Sequence, residues 1–329
     1  MRRPNPKFET TSNLRRKKDK MKITYSIVAP IYNEIDNLSE LYHRIEKVMS
    51  SNGEPWELIF VDDGSTDGST DKIRELAKLD RKVRPIIFAR NFGHQIAITA
   101  GWDFSRGAAV VIIDGDLQDP PEMILDLAKK WKEGYEVVYA VRSERHGESW
   151  FKKFTASLFY RIIYRITDVK IPVDTGDFRL MDRKVVDVLK QMRERHRFPR
   201  GMSAWVGFRQ IGVEYKRAPR HAGVTKYPFS KMLRLALNAI TSFSYFPLQV
   251  ATYFGFFSAG LAILAIPLVI YLRMAGIPQF TGQATTLIAV LFLGGVQLIS
   301  LGILGEYIGR LYDEAKGRPL YIVRDESKD

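Results

Sequence analysis

Two long uncharged stretches near the C-terminal end constrain this chain more than any other feature. No Asp, Glu, Lys or Arg occurs from Leu235 to Leu272 or from Ala275 to Gly305. Each stretch exceeds the roughly 20 apolar residues that an α-helix needs to cross a bilayer. We therefore predict membrane helices over about 248–272 and 284–308, joined by a short turn. A buried helical hairpin within a soluble domain is the alternative.

Basic residues flank this hairpin asymmetrically. The link between the two spans contains only Arg273, whereas several lysines and arginines precede the first span and follow the second. Basic residues concentrate on the cytoplasmic side of membranes, so both ends of the hairpin and the large N-terminal region are expected in the cytosol. The flanking residues are Lys226, Lys231, Arg234, Arg310, Lys316 and Arg318.

The overall charge indicates an anionic partner. The 329 residues carry 50 Lys and Arg against 37 Asp and Glu, for a net charge of +13. Nucleic acid, an anionic membrane face and phosphorylated substrates are all compatible with that balance. The chain has no cysteine, which excludes disulfides and thiolate metal sites.

Between residues 23 and 141, apolar runs typical of strands alternate with helical patterns. This alternation predicts an α/β fold with a mostly parallel sheet that is covered by helices on both faces. Such sheets bind ligands beyond the carboxyl ends of their strands. A polar cluster follows each of the five predicted strands, so the clusters should converge on one edge: PIYNE (30–34), VDDGSTDGS (61–69), ARNFGHQ (89–95), DGDLQD (114–119) and VRSERHG (141–147).

The fourth cluster places Asp114 and Asp116 on either side of Gly115. Carboxylates this close repel each other unless a cation lies between them or one takes up a proton. Oxygen ligands favour Mg²⁺ or Mn²⁺, and Gln118 offers a further neutral oxygen or orients a metal-bound water. The alternative is an Asx-type turn with solvated carboxylates. Glycine patterns for NAD or a P-loop are absent from the sequence.

Together with DTGDFRLMDR (174–183), the apolar hairpin and EYIGRLYDEAKGRPLYIV (306–323), these clusters resemble family 2 inverting glycosyltransferases. Within that family the chain resembles the polyprenyl-phosphate glycosyltransferases, both the dolichyl-phosphate mannose synthases and, more closely, the bactoprenol glucosyltransferases. The resemblance extends over about residues 22 to 323. It implies a GT-A-type domain that transfers a sugar, with inversion, from a nucleotide diphosphate sugar to a prenyl phosphate.

The resemblance also implies roles for individual residues. Asp116 is expected to take part in catalysis by holding the metal. Asp177 is expected to act as a catalytic base or to orient the acceptor. Because the acceptor phosphate is already ionised, base catalysis adds little, and Asp177 alternatively positions the sugar, holds Arg179 or caps its loop. The donor-binding set is Pro30, Tyr32, Glu34, Asp63, Asp114, Asp116 and Arg200, and the metal set is Asp114, Asp116 and Gln118.

Binding of the prenyl phosphate requires cations next to apolar surface. Arg142, Lys152 and Arg179 are the candidates for the acceptor phosphate, because guanidinium and ammonium groups both bind phosphate. Lys152 lies in a basic and aromatic segment that suits an interfacial helix or, alternatively, a solvated helix face. His94 is expected to be structural, with a donor contact as the alternative.

The domain prediction follows from these observations. We expect a basic, disordered tail over 1–21 and a cytosolic GT-A catalytic domain over 22–225. These are followed by an amphipathic juxtamembrane segment (226–247), the two-helix transmembrane hairpin (248–309) and a cytosolic tail (310–329). The expected reaction is transfer of glucose from UDP-glucose to undecaprenyl phosphate at a bacterial inner membrane. GDP-mannose or a UDP-N-acetylhexosamine is the alternative donor. A non-enzymatic basic scaffold is less favoured, because acidic loops repel nucleic acid. Family resemblance suggests a homotetramer.

Overall fold

The structure is a computed structural model that describes residues 23–143, 175–216, 246–275 and 283–326. Three predictions fall on residues outside these ranges: the tail over 1–21, Lys152 with its amphipathic segment, and nearly all of the juxtamembrane segment. The chain divides into two compact units. The described part of the first comprises 23–143, 175–216 and 319–326, and that of the second comprises 246–275 and 283–318.

The first unit contains an eight-stranded sheet with strand order β7-β5-β6-β4-β1-β2-β3-β8. Six strands run in the same direction, while β6 is antiparallel to β4 and β5 and β8 is antiparallel to β3. The predicted mostly parallel sheet is confirmed. The strands are β1 Tyr25–Ile31, β2 Trp56–Asp62, β3 Val83–Phe88, β4 Ala109–Ile112, β5 Val137–Arg142, β6 Thr175–Asp182, β7 Gln210–Tyr215 and β8 Val323–Glu326.

Helices cover both faces of the sheet, as predicted. Alternate residues of β1, such as Ile27 and Ile31, pack with the apolar stripes of α1 (Ile35–Asn52), α2 (Ser69–Leu79) and α4 (Met123–Lys132). Val28 points to the opposite face, where it meets Gly101 of α3. Because both faces are buried, β1 is apolar at nearly every position. The described helices of this unit are α1 Ile35–Asn52, α2 Ser69–Leu79, α3 His94–Phe104, α4 Met123–Lys132, α5 Arg183–Gln191 and α6 Pro199–Trp205.

Strand β8 was not predicted from the sequence. It lies beyond the apolar hairpin in the chain, yet it pairs with β3 at the edge of the sheet, with Ile87 opposite Asp325. The chain therefore leaves the first unit before the hairpin and returns to it afterwards.

The second unit contains two long helices, α7 Phe246–Met274 and α8 Gln283–Ala315, which pack against each other. Both contain a segment long and apolar enough to cross a bilayer, Phe246–Ala265 in α7 and Phe292–Ala315 in α8. The two predicted spans lie within these helices. Many of their large apolar side chains are exposed, including Phe256, Leu264 and Leu298.

Candidate active site

The acidic turn after β4 passes close to the end of β1. A Cβ atom on Gly115 would lie 2.7 Å from Cδ1 of Ile31 and 3.3 Å from the carbonyl oxygen of Pro30, so a larger residue would crowd this approach. Leu117 adopts a left-handed conformation with φ of 59°. The backbone N–H of Gln118 donates to Oδ1 of Asp116 at 3.2 Å. This tight turn holds two carboxylates, two residues apart, at the carboxyl end of the sheet.

Asp114 has one enclosed carboxylate oxygen. Its Oδ1 atom is buried and accepts no hydrogen bond from any residue that the structure describes. Nε2 of His94 lies 3.5 Å from that oxygen. Burial raises the pKa of Asp114 to about 6, although the charge of His94 opposes the shift. An enclosed carboxylate oxygen of this kind is a suitable ligand for a hard cation.

His94, the first residue of α3, joins two parts of the acidic site. Its Nε2 lies 3.4 Å from Oδ2 of Asp177 as well as close to Asp114. Burial alone would lower the pKa of His94, but the hydrogen bond to Asp177 and the two carboxylate charges raise it to about 9. The imidazole is therefore cationic near neutral pH. The sequence favoured a structural role for His94, with a donor contact as the alternative, and the structure places it between two predicted functional carboxylates.

Asp177 reaches the site because β6 runs against β4. Ile112 pairs with Arg179, and continuing that antiparallel register places Asp177 beside Asp114. The start of β6 thus meets the carboxyl end of β4, where the ligands of such a sheet bind. Sequence position alone does not predict this, because strand direction cannot be derived from the apolar pattern of β6.

Asp177 forms a bidentate ion pair with Arg200 of α6. Nε of Arg200 donates to Oδ1 at 2.8 Å, and Nη2 donates to Oδ2 at 3.0 Å. Burial would raise the pKa of Asp177, but the charge of Arg200 and the bonds from His94 and Arg200 hold it well below its usual range. A carboxylate with a depressed pKa is a weak base. The sequence offered Arg179 as the residue that Asp177 holds, and the structure pairs this carboxylate with Arg200 instead.

Arg179 lies behind this pair and is buried within β6. Its Nη2 donates to the carbonyl oxygen of Gly176 at 2.9 Å, and its Nη1 donates to Oγ of Ser203. Burial lowers its pKa to about 10. The Ser203 hydroxyl in turn donates to the carbonyl oxygen of Arg200 at 3.0 Å, so Arg179 ties β6 to α6. Like Nε of Arg142, Nε of Arg179 is buried and has no hydrogen-bond partner among the described residues.

Arg142, at the end of β5, belongs to a second polar cluster on the same edge. Burial opposes its charge, but a hydrogen bond with Tyr215 and the nearby Asp119 raise the pKa of Arg142. The Tyr215 hydroxyl donates to Oδ1 of the buried Asp119. Nε of Arg142 is buried and has no hydrogen-bond partner among the described residues. Arg142 therefore places a buried positive charge at the carboxyl end of β5, and its acceptor role stays a prediction.

The loops after β1, β2 and β3 are held together by hydrogen bonds on the predicted nucleoside side. Asp63 is buried and accepts from the N–H groups of Phe92 at 2.6 Å and Gly93 at 2.9 Å. Burial raises its pKa to about 6 despite these bonds. The N–H of Glu34 donates to Oγ of Ser69 at 3.1 Å.

The residues predicted for the nucleoside differ in exposure. Pro30 is buried at the end of β1, whereas Tyr32 is exposed. Glu34 is partly buried beside the Asn37 amide, which donates to its Oε2 at 2.7 Å. The Tyr32 side chain is therefore partly exposed to solvent on the predicted nucleoside side.

The structure thus brings together most of the predicted site residues of the described chain. The turn with Asp114, Asp116 and Gln118 lies beside Asp177 and Arg200. Asp63, in the loop after β2, is hydrogen-bonded to the loop after β3. No group of three or more His, Asp or Glu within the described ranges is arranged to hold a metal ion by itself. Asp119 and Tyr215, which brace Arg142, were not predicted, because their pairing is formed across 96 residues of sequence.

Comparison with known proteins gives two family matches. The sequence profile for glycosyl transferase family 2 matches residues 26–190, and the profile for the GtrB C-terminal hairpin matches residues 246–311.

Relatives match over nearly the whole chain. The uncharacterized glycosyltransferase YkcC of Bacillus subtilis is 53% identical over 92% of this chain and 94% of its own length. The bactoprenol glucosyl transferase of Shigella phage SfV is 43% identical over 92% and 99%, respectively. The prophage bactoprenol glucosyl transferase homolog of Escherichia coli K12 is 42% identical over the same shares. Among solved structures, mannosyl-3-phosphoglycerate synthase from Rubrobacter xylanophilus is 16% identical, with a TM-score of 0.44 over 82% of this chain and 80% of that one.

Proposed function

The chain belongs to glycosyl transferase family 2, and from this membership we propose that it transfers glucose from UDP-glucose to undecaprenyl phosphate at a bacterial inner membrane. It is a glycosyltransferase with a C-terminal hairpin of the GtrB type. The choice of glucose and of a prenyl phosphate rests on relatives that are named bactoprenol glucosyl transferases and that match over nearly their full length.

One observation carries the chemical part of the proposal. The acidic turn after β4, the Asp177–Arg200 ion pair and His94 meet at the carboxyl end of one sheet. Carboxylates and cations thus alternate within hydrogen-bonding or ion-pair distance. Such a site suits a ligand that carries both a metal-bound diphosphate and a polar sugar.

We propose Mg²⁺ or Mn²⁺ as the cofactor. The buried Oδ1 of Asp114 and the carboxylate of Asp116 form an oxygen donor set that fits such an ion, with Gln118 as a neutral third ligand. When bound, the ion would neutralise the charge that develops on the leaving diphosphate. Because the described protein ligands are few, water and the nucleotide would supply the remaining ligands.

The acceptor needs no general base. A prenyl phosphate is already ionised near neutral pH, so its oxygen attacks the anomeric carbon directly. A new C–O bond forms on the face opposite the diphosphate, the C–O bond to the nucleotide breaks, and its electron pair leaves with UDP, which inverts the configuration. Asp177 fixes Arg200 and His94 by its hydrogen bonds rather than removing a proton. Positioning and charge neutralisation then supply most of the rate enhancement.

The acceptor phosphate is proposed to bind at the basic side of this edge. Arg142 supports this by its charge and by its place at the carboxyl end of β5, on the edge where the acidic turn lies. Lys152 lies outside the described ranges and stays a prediction. Arg179 supports the site indirectly, because its bonds to Gly176 and Ser203 hold the strand and helix that carry Asp177 and Arg200.

We propose that α7 and α8 form a transmembrane hairpin with the catalytic unit in the cytosol. Their exposed apolar side chains favour a lipid environment, and residues on both sides of the hairpin belong to the same sheet. An even number of crossings is required when both ends of a hairpin return to one folded unit. Family resemblance adds a homotetramer to this proposal.

The decisive test is a lipid-product assay with purified protein in detergent. Labelled UDP-glucose, GDP-mannose and UDP-N-acetylglucosamine are each incubated with undecaprenyl phosphate, and label is counted in the organic phase. We expect transfer from UDP-glucose alone. Label from another donor only would reassign the substrate, and no labelled lipid from any donor would contradict the reaction.

The metal is tested in the same assay. We expect chelation, or the change Asp116→Ala, to reduce transfer by at least about 100-fold, because charge on the leaving diphosphate is no longer neutralised. Asp126→Ala, which removes an exposed carboxylate from α4, is the matched control and should retain full activity. Undiminished transfer after exhaustive chelation would refute the metal.

A further inference from the structure

The segment that follows the apolar hairpin, residues 319–326, packs against the first unit and is called the strap. Its strand β8 pairs with β3, and the N–H of Ala89 donates to the carbonyl oxygen of Ile322 at 2.9 Å. Nη2 of Arg74 lies 3.0 Å from Oδ2 of Asp325. The strap is therefore bonded to the end of β3, immediately before the loop that leads to α3.

Tyr321 is the residue of the strap with the most specific contacts. Its hydroxyl donates to Oδ2 of Asp103 at 2.8 Å, near the end of α3, and Arg193 binds the same carboxylate at 2.9 Å. Its ring stacks on Phe88, with ring centroids 5.1 Å apart and planes within 16°. Tyr321 therefore holds both ends of the segment 89–103, whose middle carries His94.

From Phe88 the contacts continue to the predicted nucleoside side. Phe88 packs edge-on against Phe92, with centroids 5.6 Å apart. The N–H of Phe92 donates to Oδ1 of Asp63 at 2.6 Å. The turn after Asp63 lies so close to this loop that a Cβ on Gly64 would be 2.6 Å from the carbonyl carbon of Arg90. Packing this close leaves the loop little room to shift independently of Asp63.

We propose that Tyr321 is a positioning residue for the nucleotide part of the donor, acting through Phe88 and Phe92 on Asp63. It touches no substrate itself. Its ring and hydroxyl restrain the loop from two sides, so that the nucleotide meets a preformed loop and loses less free energy in ordering it. This inference rests on the proposed function, since it takes the loops after β2 and β3 as the nucleoside side of the site.

The test measures UDP binding in the presence of Mn²⁺ by calorimetry, on the full chain in detergent. We expect Tyr321→Ala to raise the Kd for UDP about tenfold, because both the stacking and the hydrogen bond are lost. Tyr321→Phe, which keeps the ring, should raise the Kd by about threefold or less. Arg324→Ala, at an exposed position of the same strap, is the matched control and should bind as the wild type does.

Kinetics distinguish positioning from general damage to the fold. For Tyr321→Ala we expect the KM for UDP-glucose to rise about tenfold while kcat stays within about twofold of the wild type. An unchanged Kd and KM, or a fall in kcat alone, would overturn the inference. If Tyr321→Ala does not fold, Phe92→Leu decides the matter, because it breaks the aromatic contact and leaves the strap intact; a wild-type Kd there also overturns it.

UDP binding by the wild-type protein distinguishes failure of the proposed function from failure of the role of Tyr321. Failure of the wild type to bind UDP contradicts the proposed function itself. Tight binding by the wild type and equal binding by the Tyr321 and Phe92 variants contradicts only the role of the strap.

Discussion

Replacing the two partners of the Asp177–Arg200 ion pair tests whether Asp177 is a base or a positioning group. The single changes are Asp177→Asn, which is nearly isosteric, and Arg200→Gln, which removes the guanidinium, and the third variant combines them. If Asp177 serves to hold Arg200, either single change removes the same interaction. The double variant should then be little worse than either single one.

The expected magnitude follows from the geometry of the pair. Two charge-assisted hydrogen bonds, at 2.8 and 3.0 Å, join the two side chains. The exposed fraction is 11% for the Asp177 side chain and 27% for the Arg200 side chain. Breaking a fully buried pair costs about 3–5 kcal/mol. Because Arg200 is partly hydrated, we expect a coupling energy of about 2 kcal/mol, which is about 30-fold in kcat/KM. A general base would instead contribute on the order of 100- to 10,000-fold by itself.

The assay is label transfer to undecaprenyl phosphate, measured as kcat/KM from pH 5 to 8. Arg200 holds the pKa of Asp177 well below its usual range, so this carboxylate stays ionised throughout and contributes no acid limb. Glu133→Gln, which breaks an exposed ion pair with Lys130, is the control and should have no effect. Two results would refute the reasoning: additive losses in the double variant, or an acid limb of the wild type that disappears in Asp177→Asn.

Two further predictions concern stability. Burial raises the pKa of Asp63 to about 6, so the folded state binds a proton on this carboxyl group more tightly than the unfolded state does. The protonated group therefore contributes most to stability below the pKa of the unfolded state, and this contribution is lost as the pH rises through about 6. As the pH rises from 4 to 7, the stability of Asp63→Asn should therefore increase relative to that of the wild type, by up to about 3 kcal/mol in denaturation experiments. A stability difference between the two proteins that stays constant over this range would contradict the raised pKa of Asp63. A Cβ on Gly101 would lie 2.0 Å from Cγ1 of the buried Val28. Gly101→Ala should therefore lower the free energy of unfolding by about 2 kcal/mol or more. Gly309 has open space around it, so Gly309→Ala should not lower it. Equal thermal stability of these two alanine variants would rule out the close approach of α3 to β1.

Much of the fold was predictable because its signals are local. Uninterrupted apolar runs predicted the two long helices, and their bounds enclose both predicted spans. Apolar strands alternating with amphipathic helices predicted a mostly parallel sheet with both faces covered. The polar clusters after β1 to β4 were assigned to one edge because the carboxyl ends of parallel strands lie together. Composition and periodicity suffice for such features, since each depends on residues close in sequence.

Only the tertiary structure decided how distant segments meet. Asp177 lies beside Asp114 because β6 inserts antiparallel between β4 and β5, and His94 lies between the two carboxylates because α3 begins there. The strap joins β3 after the chain has passed through the whole hairpin. Hydrophobic patterning specifies which face of a strand is buried, whereas the direction and partner of that strand depend on packing between segments far apart in the chain. The sequence therefore determined which residues are chemically suited to the site, and the tertiary fold determined which of them act on one another.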